Sequence, residues 1–145
     1  MRGLMLFVIL VNSLSLLDAR PLGAFDEKAL FSILSRFRVE TVDSPSWLLP
    51  EELEESRRGD CEDFAIYFLA KVLEWTGEAG EILVCETPDF WTLHAFARVG
   101  GVIYDPYRKT RIGSLMELNR KGWEIYKILE IEYVLSELRN GREVW

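Results

Sequence analysis

The sequence predicts an α+β domain, on three observations. Phe64, Ala65, Phe68, Leu69, Val72 and Leu73 recur at helical spacing after Cys61, three segments of strand character follow, and Gly100-Gly101 joins the last two as a two-residue hairpin. With 145 residues, 49% hydrophobic and 28% charged, the chain suffices for one core, and a second full domain does not fit.

In chain order, Met1-Arg2-Gly3 and the run Leu4 to Leu17, polar only at Asn12, Ser13 and Ser15, have the charged start and short apolar stretch of a secretory signal peptide. The run is too short to span a bilayer comfortably. Cleavage is expected near Ala19 or Ala24, although Leu17 is bulkier than the usual A-x-A pattern; an uncleaved anchor and a buried N-terminal helix are the alternatives. Residues 1–19 are therefore expected as a leader and 25–145 as one domain, extracytoplasmic (secreted or periplasmic) and without an integral membrane span after cleavage.

Asp26 stands as an N-cap before Leu30, Phe31, Ile33, Leu34 and Phe37, which fall on one helical face. Thr41 to Arg58 reads as a loop with a short acidic turn at Glu51, Glu52, Glu54 and Glu55. The helix opened by Cys61 stops at Gly77. Strands are expected at Glu81 to Cys85, Thr92 to Val99 and Val102 to Tyr104, with Val99 opposite Val102. Ser114-Leu115-Met116-Glu117 has the capping-box pattern for a short helix before Gly122, Trp123 to Ile131 partly alternates as another strand, and Asn140-Gly141 would turn a last hairpin.

A formal charge of −7, with no run of lysines or arginines, argues against nucleic acid and anionic membrane surfaces as partners. One histidine and two cysteines without a C-x-x-C pair fall short of a zinc site, and no phosphate-cradling glycine loop supports a nucleotide.

The chemistry concentrates in Cys61, His94 and Asp105. A thiol needs a base to take its proton and a carboxylate to orient that base, and His94 is the only histidine in the chain. The first turn of a helix favours a thiolate through its dipole, and its free N–H groups can hold an oxyanion. The hairpin brings Asp105 toward His94, near one end of the two strands. Taken singly, each has a plainer role: Cys61 as a small apolar packer, His94 as a structural side chain, Asp105-Pro106 as a turn. Their joint order and spacing favour catalysis.

These residues resemble the transglutaminase-like superfamily, most closely the bacterial transglutaminase-like cysteine peptidases, over roughly Trp47 to Tyr107. Gly59-Asp60-Cys61-Glu62-Asp63-Phe64-Ala65 matches the family's G-D-C-x-D-x-A, and His94-Ala95 with Asp105-Pro106 matches its H-A and D-P. Trp47 with Pro50-Glu51-Glu52 matches the W-x-x-P-E-E lead-in. The resemblance implies a papain-like core, the nucleophile helix packed on an antiparallel sheet, with Cys61 as nucleophile, His94 as general base and then acid, and Asp105 as orienter. It implies a peptidase or amidase acting on a protein or peptide substrate; acyl transfer to amines and a non-catalytic binding module on the same fold are the alternatives.

Asp60, Glu62 and Asp63 crowd the thiol with charge that opposes a thiolate, so either they point away or a cation sits among them. No cofactor is required by the reading, but calcium is open at these three carboxylates, as in some relatives; the plainer role is a cap and complement to the helix end. Cys85 reads as a buried thiol, with a disulfide to Cys61 open, and Trp91 as a wall of the cleft. Specificity is expected in the loops Thr41 to Arg58 and Glu86 to Trp91.

Overall fold

The computed structural model describes residues 25–40, 46–87 and 93–144. The expected leader, Trp91, Thr92 and parts of both specificity loops lie outside the described residues. Helix α1 (Glu27–Leu34) opens with the Asp26 carboxylate accepting the Ala29 N–H, and buries Leu30 and Leu34. The acidic turn is a helix, α2 (Pro50–Ser56): Pro50 sits in its first turn, Glu52 accepts the Leu49 N–H, and Arg57 ends it at φ 58°. Two short parallel strands, β1 (Arg38–Val39) and β2 (Arg58–Gly59), clasp the chain before and after α2.

Helix α3 (Cys61–Thr76) is the longest element and is capped as expected by left-handed Gly77. A five-stranded antiparallel sheet follows, formed by β3 (Glu81–Glu86), β4 (Leu93–Val99), β5 (Val102–Asp105), β6 (Thr110–Gly113) and β7 (Glu124–Glu130), in the order β6-β5-β4-β3-β7. Val99 pairs with Val102 across the Gly100-Gly101 turn, as the spacing predicts. The molecule is thus mixed helix and antiparallel sheet, consistent with an α+β fold.

Alternation along the strands divides the interior. Ile82, Val84, Ala95, Ala97 and Val99 face α3, where Phe64, Phe68 and Leu69 complete the larger core with Leu30, Leu34 and Tyr104. Leu83, Cys85, Phe96 and Ile103 face the other way and are covered by Leu118 of α4 (Leu115–Arg120), with Trp123 and Ile125 at the margin.

The final hairpin expected at Asn140-Gly141 is not formed. Helix α5 (Ile131–Arg139) occupies this stretch, burying Ile131, Val134 and Leu135, and Gly141 at φ 69° follows its end. Asn-Gly serves here as a helix stop, which the same left-handed backbone preference allows. Among the described residues no helix is long and apolar enough to cross a membrane.

Candidate active site

Cys61 is the first residue of α3 because Asp60 and Asp63 lock the turn reciprocally. Asp60 accepts the Asp63 N–H at 3.2 Å, and Asp63 accepts the Asp60 N–H at 3.0 Å and, through its other oxygen, the Leu48 N–H at 2.8 Å. Gly59 is required just before, since a Cβ there would lie 2.9 Å from both Asp63 Cβ and Leu53 Cδ1. The G-D-C-x-D pattern is therefore a turn in which Asp60 and Asp63 each accept the other's backbone N–H.

His94 and Asp105 meet as the hairpin spacing predicts. His94 Nε2 lies 3.0 Å from Asp105 Oδ1, and both side chains are buried. An ionised carboxylate only accepts, so Nε2 carries the proton and Nδ1 is left with the basic lone pair. Asp105 is itself held by the Arg108 N–H at 3.2 Å and the Arg108 guanidinium at 3.5 Å.

The thiol meets β4 at Ala95, the residue after His94, on the helix side of the sheet. The β4–β5 ladder covers only Ala97 to Val99, and the Ala95 N–H hydrogen-bonds to Cys61 Sγ, one residue from His94. That amide favours the thiolate. Burial and the neighbouring Glu62 carboxylate work against it: Sγ donates to Glu62 Oε2 at 3.2 Å, and the Cys61 pKa is pushed far above its ordinary value, first by burial and then by the Glu62 charge. Glu62 does not point away from the thiol. The resting partner of Sγ is Glu62 and not His94.

The acidic residues perturb one another. Glu62 is raised to about 7 by burial and by the adjacent Asp60 carboxylate, and Asp63 is raised to about 7 by the same two causes. For calcium the arrangement does not fit, because Asp63 spends both oxygens on backbone N–H groups, and two carboxylates are few for an ion that takes six to eight oxygens. Among the described residues no group of three or more His, Cys, Asp and Glu side chains is placed to hold a metal ion.

Cys61 and Cys85 are both free thiols. They belong to cores on opposite faces of the sheet, so the disulfide left open by the sequence is not made. Cys85 on β3 is the ladder partner of His94 on β4, its pKa pushed up to about 12 by burial alone.

Three rings around His94 had no assigned place in the site. Phe96 meets the imidazole edge to face at 4.7 Å, Tyr107 does so at 5.7 Å while also touching Phe64, and Trp123 lies over it at 5.4 Å, tilted 36°. The i+2 alternation along β4 could have found Phe96; Tyr107 and Trp123 come from segments whose approach no local pattern encodes. No protein-family model matches this chain, and no curated protein matches it.

Proposed function

We propose that this chain is an exported cysteine-dependent hydrolase, a peptidase or amidase with a transglutaminase-like, papain-like core, acting on peptide or side-chain amides. The observation that carries the reading is the buried His94–Asp105 pair, one residue from the Ala95 amide that meets the Cys61 thiol. In the reaction Sγ leaves Glu62 and passes its proton to His94 Nδ1, then attacks the substrate carbonyl. The oxyanion forms at the first turn of α3, where the Cys61 and Glu62 N–H groups head the helix. His94 returns the proton to the leaving amine, and Asp105 holds the imidazolium meanwhile. Water, deprotonated by His94, then cleaves the thioester and restores thiol and neutral imidazole. An amine in place of water gives the transamidation product by the same steps.

The thiol's bond to Glu62 favours a second reading, a binding module with an idle triad. Iodoacetamide alkylation of the reduced protein from acid to neutral pH separates the two. Fast reaction well below the ordinary thiol pKa of about 8.5, lost in His94→Ala, is expected of the enzyme. Slow reaction indifferent to His94→Ala would sink it. Hydrolysis and amine-incorporation assays run side by side then identify the acceptor.

A further inference from the structure

We infer that Trp123 is a positioning residue for the general base, its indole covering the His94 imidazole so that the ring stays in register with Asp105 when it takes up the thiol proton; this rests on the hydrolase reading above. The indole comes from outside the hairpin that builds the pair. Gly122, at φ 89°, ends the turn after α4, and the Trp123 N–H donates to the Leu118 carbonyl at 3.3 Å. Glu124, the next residue, pairs with Glu86, and Glu86 pairs with Leu93, so Trp123 sits just beyond the sheet end nearest His94.

The contacts are those of an aromatic box. Trp123 lies across the imidazole at 5.4 Å and is braced by Phe96 at 5.1 Å and 77°. Tyr107 and Phe96 close the flanks with their rings near perpendicular to the imidazole, at 82° and 78°. A π-face within about 6 Å of a cation attracts it, more so when water is excluded, and His94 is only 6% exposed. The titratable groups placed against this imidazole are Asp105 on β5, itself held by Arg108, Cys85 paired with it on β3, and Tyr107 in the turn after β5; the Cys61 thiol lies at the amide of the next residue, Ala95. Asp105 fixes one edge of the ring. The indole fixes its plane.

The test compares alkylation of Cys61 at about pH 6 and about pH 9. Alkylation at about pH 6 depends on proton transfer to His94, whereas at about pH 9 hydroxide competes for the thiol proton, so the ratio of the two rates reports the ion pair and cancels changes in access. Trp123→Leu is expected to lower the ratio about tenfold, the scale of a desolvated cation–π contact, while Trp123→Phe, which keeps a π-face, stays within about threefold of the parent. An unchanged ratio in Trp123→Leu overturns the inference, as does an equal loss in both variants.

A check that needs no variant comes from the lone histidine: its imidazole C–H resonances should be displaced by the tilted indole beside it, and positions of a free histidine would overturn the contact. A parent protein with no His94-dependent alkylation at low pH refutes the hydrolase reading itself. A parent that shows it beside an indifferent Trp123→Leu refutes only the role of Trp123.

Discussion

At the scale of single residues, Cys61 is balanced between two neighbours, an amide that favours its anion and a carboxylate that opposes it. Glu62→Gln removes the opposing charge and the strongest acceptor. Alkylation of Cys61 at about pH 8 should therefore quicken about tenfold, the effect of one pKa unit. If the chain hydrolyses amides as proposed, Asp105→Asn should keep alkylation at about pH 9 yet cut that hydrolysis by roughly 10³-fold, because the amide no longer dictates which imidazole nitrogen holds the proton. The pairing of His94 with Asp105 was legible in the sequence because a two-residue turn sets register by counting. The thiol's attachment to Glu62 was not legible, since adjacent residues on a helix usually diverge and only the burial of the first turn brings these two together.

At the scale of elements, the start of α3 is the most constrained join in the molecule. Gly59→Ala would push a methyl against Asp63 and Leu53, parting the reciprocal cap. Urea unfolding should register a loss of about 1–3 kcal/mol, with alkylation of Cys61 altered in the same variant. The helix itself and its Gly77 stop were legible from apolar spacing. Strand β6 escaped notice because four residues, Thr110 to Gly113, are too few to alternate visibly. Helix α5 escaped because Asn140-Gly141 suits a hairpin and a helix end alike, although Ile131, Val134, Leu135 and Leu138 stand at helical spacing.

At the scale of the whole molecule, the acidic cluster makes stability depend on pH. Glu62 and Asp63 hold protons to about 7 in the folded chain, against ordinary values of 4.5 and 3.8, so between those limits folding takes up protons. Their stabilising protonation is full below the ordinary values and is lost as pH rises through about 7. The unfolding free energy should be lower at pH 8 than at pH 5 by roughly 2–4 kcal/mol, with the difference reduced in Glu62→Gln. Denaturant titrations at the two pH values measure it. The mixed architecture was readable because runs of period 3.6 and period 2 were separate in the chain. The covering of His94 by Trp123 was not, because it joins side chains 29 positions apart through the packing of the sheet's outer strand.

The strand order carries a further consequence. Strand β3 lies between β4, its immediate successor, and β7, which begins at Glu124 near the end of the chain. A growing polypeptide that has passed Thr110 already contains Cys61, His94 and Asp105, yet one flank of β3 stays without its strand and the imidazole without its indole. Until Glu124 to Glu130 has emerged, β3 is therefore paired on one side only, and a chain cut before that strand carries an unpaired strand margin, the kind of edge that recruits other chains.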